Sequence, residues 1–412
     1  MRTKNLLTIL LSTFLLWACT DKKETSSASG TDSLAVADAT VKNPDTLINT
    51  TNTEPIANKV VRDSVLDNAA RFIAGLPQLT ENSFTALQAD KYWKEYQTSM
   101  DANWKKMYKT RLSKMIAWEK STFSTSIDDS LSLFYPFSGP DFLHAFYLFP
   151  HSKEFVMAAL EPIREVIPLD TISEKNRDEF LDSLGNSLRD IFNKSYFITT
   201  HMQNDLKQIK GVLPPLYFFI ERSGHELLEQ KFFTLNEDGT EKEVKGSQIH
   251  WQKIPGVKLI FRDRVTLEIK TLYYYSISIS NGGLSDRPAF VKFIEQRTPV
   301  NTFVKSASYL MHKEVFTKIK TIILKNSNHV FQDDTGMPYK NFKSKLEWTG
   351  QFYGEYIKPV KDFSSELYQP DLDSAYKANG KRDLPFSLGY HWNTKKQNYM
   401  LFSKAKLASF QR

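Results

Sequence analysis

The residues best suited to chemistry fall in three short stretches. In FYPFSGPDFLHAFYLF (134–149), Asp141 and His144 stand three apart, a spacing that places both on the first turn of a helix and on one face of it. An acid and an imidazole so placed could bind a ligand or exchange protons with one. In HVFQDDTGMPY, Asp333 and Asp334 are adjacent at the end of an apolar run. Paired carboxylates there could hold a cation, or act as acid and base once their pKa values are driven apart. Glu161 ends the run EFVMAALE, and an acid at the end of a second strand is where dinucleotide folds hold a ribose hydroxyl.

Each has a plainer reading. Ser138 can cap the helix that follows, with Asp141 reaching back to it as the acid of an [ST]-x-x-[DE] box and Pro140 tolerated in the first turn. The QDDTG-P stretch can be a turn closed by an aspartate side chain. As a phosphate loop S-G-P-D is poor: it has one glycine, Pro140 removes a donor, and Asp141 puts negative charge where phosphate would sit. GHELLEQ carries His225 and Glu229 one letter from H-E-x-x-H. They would share a helical face, but the stretch reads as well as a strand, where that geometry is lost. His201 and Asp205 are spaced alike. No G-x-S-x-G nucleophile elbow occurs, and no metal or cofactor is expected.

These residues need elements to hold them. SLFYPF reads as a buried strand, GPDFLHAFYLF as a helix and EFVMAALEP as a second strand, a crossover long enough for a parallel βαβ unit. Before it, residues 84–123 carry apolar positions at steps near three and four, with a basic opposite face, predicting one broken helix or two. After it, residues 176–193 read as a helix and 230–235, 257–262 and 271–280 as strands. A helix is expected over 303–325, and HVFQDD as a strand. The alternation predicts an α/β, Rossmann-like layered mixed sheet with flanking helices. Taken with Glu161, the layout resembles a methyltransferase-type Rossmann unit. Tyr353, Tyr356, Tyr368, Tyr376, Tyr390 and Trp392 read as packing, or as the stacking wall of a sugar or peptide groove.

The amino-terminal segment speaks to address. Arg2 and Lys4 precede an apolar run from Leu6 to Leu16, shorter than the ~20 residues a spanning helix needs. It ends in L-W-A-C, which resembles the lipobox of bacterial lipoproteins. The resemblance implies cleavage of residues 1–18 and lipidation of Cys19 with several chains, palmitate among them. Cys19 is the only cysteine in 412 residues, so no intrachain disulfide or Cys-ligated zinc is possible. Several acyl chains anchor stably where one does not, and the implied location is the cell envelope, on the outer membrane of a Gram-negative bacterium. That compartment offers no supply of nucleotide or S-adenosylmethionine.

Residues 19–58 lie within a stretch without aromatic residues between Trp17 and Phe72, a composition that reads as a disordered tether. A helical segment over 59–125 and an α/β domain over 126–412 would follow. The formal charge of +7 falls to +5 without Arg2 and Lys4, spread rather than clustered, which argues against nucleic acid as a partner. The blocks YPFSGPDF, K-x-A-S-Y-L-x-H and QDD-x-G-x-P together resemble a family of uncharacterised bacterial proteins. That resemblance implies no activity, but it adds His312 to Asp141, Asp333 and Asp334 as ligand-binding candidates. The expected function is a lipid-anchored envelope protein that binds a small molecule, glycan or envelope protein. The competing expectation is an envelope hydrolase with Asp141, His144, Asp333 and Asp334 converging at strand ends.

Overall fold

A computed structural model describes residues 62–197, 208–343, 347–361, 363–380, 382–391 and 397–405. Cys19, the signal-type segment, the tether, His201, Asp205 and Trp392 lie outside the described residues. Ten strands form one mixed sheet: β1 (Leu133–Pro136), β2 (Glu154–Ala159), β3 (His225–Leu235), β4 (Glu241–Glu243), β5 (Gly256–Asp263), β6 (Ile269–Ser276), β7 (Val300–Val304), β8 (Ser327–Gln332), β9 (Trp348–Gly354) and β10 (Asn398–Lys404). Their order is β4-β3-β5-β6-β2-β1-β7-β8-β10-β9. The middle five, β6-β2-β1-β7-β8, are parallel, while β10 runs antiparallel to both neighbours.

The chain lays β2 and β6 on one side of β1, then β7 and β8 on the other. Sequence order within this run is 3-2-1-4-5, that of the Rossmann sheet, and the reversal falls between β1 and β7, where such sheets bind ligands. The expected parallel unit is present, with Leu133 opposite Phe155 and the helix Phe142–Leu148 as the crossover.

Side-chain alternation divides the core in two. Leu133, Tyr135, Phe155, Met157, Leu272 and Tyr274 face one apolar cluster; Phe134, Val156, Ala158, Tyr273 and Tyr275 face the other. Burial on both faces is why these strands read as unbroken apolar runs. Helices α1 (Ser64–Ile73), α2 (Ser83–Leu87), α3 (Lys91–Met107), α4 (Ser113–Trp118), α5 (Phe142–Leu148), α6 (Glu174–Lys194) and α7 (Leu213–Arg222) cover the first face. The second is covered by α8 (Asn281–Ser285), α9 (Pro288–Glu295), α10 (Thr317–Asn326), α11 (Lys340–Lys343) and α12 (Pro370–Ala378). Residues 70–123 thus share a single core with the sheet.

The stretch 84–123 forms two helices, α2 and, after the break at residues 88–90, a run from Lys91 to Phe123 that is continuous but wound unevenly. Two π turns, Tyr108–Leu112 and Glu119–Phe123, flank α4. They fall where the buried stripe steps by five, from Met107 to Leu112 and from Trp118 to Phe123. Each wider turn, closed by i→i+5 bonds, returns the stripe to the core, and Tyr108 is turned out to 44% exposure.

At the amino-terminal side, α1 docks on β3. The Asp63 N–H donates to the Leu228 carbonyl at 2.9 Å, and Asp67 accepts from Leu227 N at 3.0 Å and pairs with Arg264 at 3.1 Å. Arg264 also pairs with Glu221 of α7 at 3.0 Å.

The helix expected over 303–325 is corrected. Phe303 and Val304 belong to β7, and only Thr317–Asn326 is α-helical. Between them Ser306, Ser308 and Tyr309 have φ of 54°, 52° and 53°, a left-handed backbone that breaks a right-handed helix despite helix-like apolar spacing. At the middle of the first-face core, Phe331 meets the rings of Trp118, Phe123, Phe303 and Tyr399. Phe331→Ala is expected to cost about 3–5 kcal/mol, read as a lowered urea midpoint.

Candidate functional site

The loops after β1, β2, β7 and β8 meet at the carboxyl edge of the parallel strands. Asp141 is itself the N-cap of α5, its carboxylate accepting from His144 N at 3.3 Å. The capping box is therefore corrected: Ser138 is not the cap, and its buried hydroxyl makes no hydrogen bond. Asp141 Oδ2 meets Lys305 Nζ at 2.5 Å and accepts from the Tyr135 hydroxyl at 3.1 Å. Asp141 Oδ1 lies 2.8 Å from His144 Nδ1. Lys305 also donates to the Ser195 carbonyl at the end of α6. Asp141, His144 and Lys305 are all at most 3% exposed.

Burial by itself would raise the Asp141 pKa, but His144 and Lys305 outweigh it and bring it down to about 2. Burial lowers His144 to about 4 despite Asp141, and lowers Lys305 against the pull of the same carboxylate. Near neutral pH the cluster is an Asp–Lys ion pair beside a neutral imidazole, whose Nε2 is buried without a partner.

Residue 306 points the other way. Ser306 N–H donates to Asp333 Oδ2 at 2.9 Å, and Thr335 N–H donates to Asp333 Oδ1 at 3.0 Å. Burial and the neighbouring Asp334 push Asp333 up to about 6. Asp334 Oδ1 accepts from Asn398 Nδ2 at 3.0 Å and faces His391 Nε2 at 3.3 Å; Oδ2 accepts from the Tyr309 hydroxyl. Burial would lower His391, but Asp334 holds its pKa above the usual value. Both acids are 1% exposed, and they fasten the β7 and β8 loops. Gly389 (φ 73°) closes this layer: a Cβ there would lie 3.1 Å from Asp333 Oδ2 and 3.0 Å from Ser306 Oγ.

Outside this layer lies a cleft of about 650 Å³ lined by residues of the β1, β2 and β7 loops, with Lys210 and Gly211. Apolar Phe137, Leu160 and Leu310 share its walls with Glu161, Arg164, Lys210, Ser306 and Ser308. Gly211 (φ 106°) presses so close to Pro162 that a Cβ would lie 2.5 Å from its carbonyl oxygen. Glu161 is on the cleft as its position after β2 suggested. Burial raises its pKa even though Tyr274 donates to it at 3.3 Å. A smaller chamber of about 80 Å³ leads inward, reaching Ser138, Asp141 and Lys305.

Seven non-glycine residues among those described have φ above zero: Phe137, Ser195, Lys210, Leu267, Ser306, Ser308 and Tyr309. Four of them, Phe137, Lys210, Ser306 and Ser308, line this one cleft. Such backbone costs of order 1–3 kcal/mol per residue and clusters where structure serves function.

Other candidates stand apart. His312 is half-buried with its ring edge-on to Tyr309 at 5.2 Å, and does not line the cleft. Burial lowers its pKa to about 4. His225 opens β3, fully buried and edge-on between Phe146 and Phe261 at 4.6 and 5.1 Å, and Glu229 pairs with Lys231 at 2.6 Å. Tyr353, Tyr356 and Tyr376 are core residues, and Tyr368 stacks on Tyr356.

The sequence reading missed Lys305, Ser306, Arg164 and Lys210. Lys305 had a signal: a lone cation closing the apolar run VNTFV at the end of what proved to be a strand. No family model, curated protein or solved structure matches the chain. Among the described residues no helix is long and apolar enough to cross a membrane.

Removing one partner of a buried ion pair strands the other charge. Lys305→Met is expected to cost about 3–5 kcal/mol, and Asp141→Asn added to it should recover most of that, read by urea denaturation. Acid should act on the same cluster. Asp141 contributes stability that is present above about pH 4 and lost as pH falls through about 2. The His144 contribution is complete above 6.5 and lost on falling to about 4. Between pH 6.5 and 4 the raised Asp333 carboxyl opposes the His144 loss, so the fall in urea midpoint should be steepest below pH 4, and shallower there in the double variant.

Proposed function

We propose that this chain is a lipid-anchored cell-envelope protein whose α/β body binds a small molecule in the cleft outside β1, β2 and β7. The observation that carries the binding reading is the coincidence of four left-handed non-glycine residues around one cleft. Folding alone gains nothing from that strain, whereas a ligand that needs those loops held in place does. The cleft lies at the strand-order reversal and has the ~300–1,000 Å³ size range of small-molecule sites.

Its lining names a ligand class. Phe137, Leu160 and Leu310 suit an apolar ring or chain, and Arg164 and Lys210 suit an anionic group at its end. Glu161 and the Ser306 hydroxyl can take hydroxyl groups. An amphiphilic carboxylate or phosphate ester meets all three demands.

Hydrolysis is less well supported. The carboxylate oxygens of Asp333 and Asp334 are taken by amide, hydroxyl and side-chain amide donors. Asp141 is held in an ion pair at the bottom of a chamber of about 80 Å³. Anchoring is supported by the basic n-region, the apolar run and the single cysteine in L-W-A-C.

Two experiments check these parts separately. A thermal-shift screen of amphiphilic anions should give hits that stabilise the wild type, with the shift lost in Arg164→Ala/Lys210→Ala. Hits that stabilise both equally would remove the cleft from the reading. Cys19→Ala should release the protein from isolated membranes into the soluble fraction, and unchanged retention would sink the anchor.

A further inference from the structure

At the amino-terminal edge of the parallel strands, away from the cleft, three segments bring metal-ligating side chains together. Glu119 opens the second π turn, Asp129 lies in the link to β1, and His151 lies between α5 and β2. One ligand atom from each is within 4.8 Å of the other two; His151 Nε2 and Asp129 Oδ2 are 3.8 Å apart. Ligands bound at ~2.0–2.4 Å stand at most ~4.0–4.8 Å apart across a single ion, so small side-chain movements would close these three on one.

A second observation points to something between them. Glu119 is 2% exposed, yet its Oε1 has no hydrogen-bond partner. A buried carboxylate oxygen without a donor is costly and needs an explanation. A cation held by all three side chains would satisfy the orphan oxygen and stabilise the ionised carboxylate.

We propose that Glu119, Asp129 and His151 form a site for a first-row divalent cation of the Zn²⁺ class, tying the π-wound helix to the entries of β1 and β2. The imidazole argues against Mg²⁺ and Ca²⁺, which take oxygen ligands, and the lack of thiolate argues against Cu⁺. The His151 side chain is 61% exposed, so an ion can enter from solvent, and water completes the coordination. The three ligands lie ten and twenty-two residues apart, a spacing without a motif, which is why the sequence alone suggested no metal.

The test is isothermal titration of chelator-treated, untagged full chain with ZnCl₂, in a Cys19→Ala background so that no thiol competes. One Zn²⁺ per chain is expected, and Tm should rise by about 4 °C at a hundredfold excess over Kd. His151→Ala, a change at an exposed side chain, should weaken binding at least tenfold, and Glu119→Gln should abolish the Tm rise. Mg²⁺ at the same concentration should have no effect. Absence of binding, or affinity unchanged in His151→Ala, would overturn the site, and an equal response to Mg²⁺ would overturn the assigned class. Should Glu119→Gln fail to fold, His151→Ala decides alone.

Discussion

The contact between Lys305 and Asp141 at the strand-order reversal is the constraint on which the carboxyl edge of the sheet depends. Neither charge has water to fall back on, since both are almost fully buried, and each is tolerable only because the other is there. Lys305 closes β7 and Asp141 opens α5 after β1, so the pair fixes two adjacent loops against each other. Its third link, to the Ser195 carbonyl, draws in the end of α6. The next residue, Ser306, passes the constraint to Asp333 and the β8 loop. Three strand ends, the start of α5 and the end of α6 are thus set by contacts of two consecutive residues, Lys305 and Ser306.

This explains how the cleft can hold a costly backbone. A residue with φ near 54° in open loop would relax, and Ser306 does not because its amide is fixed to Asp333 and its neighbour to Asp141. Ala307 is held in turn by the Thr335 hydroxyl at 2.8 Å. The acids that invited a catalytic reading are the anchors of the wall, one layer behind the surface a ligand would touch. Polar groups that carry a loop's backbone and groups that meet a ligand are different sets here, and composition cannot separate them.

What the sequence made legible follows from that division. The βαβ unit around residues 134–159 was readable because a strand buried on both faces is apolar throughout. Residues 176–193 were readable as well, since periodicity there matches α6. The stretch 303–325 was not. Its apolar residues fall at helical steps, while a long-range bond from Asp333 to Ser306 holds the chain left-handed, and local spacing carries no trace of such a bond. Likewise Ser138, Asp141 and Pro140 satisfied a capping pattern, but the cap is Asp141 itself, whose carboxylate accepts from His144 N. Arg164 and Lys210 were invisible because their place on the cleft comes with the close approach of Gly211 to Pro162, which no local pattern shows.

The docking of α1 on β3 has a mechanical consequence. Among the described residues, the amino-terminal side of the body is held to β3 where Arg62 pairs with Glu226, Asp63 bonds Leu228 and Asp67 meets Arg264. Tension transmitted through that end is borne there in the first instance, by the β3 edge and its charged bracing with Glu221. Between β3 and β1 the sheet interposes β5, β6 and β2, three strands' width of hydrogen-bonded backbone. Helix α7 nevertheless joins Glu221 at that edge to Leu213, two residues from the cleft-lining Gly211, so the path from that end to the cleft runs along one helix as well as across the sheet.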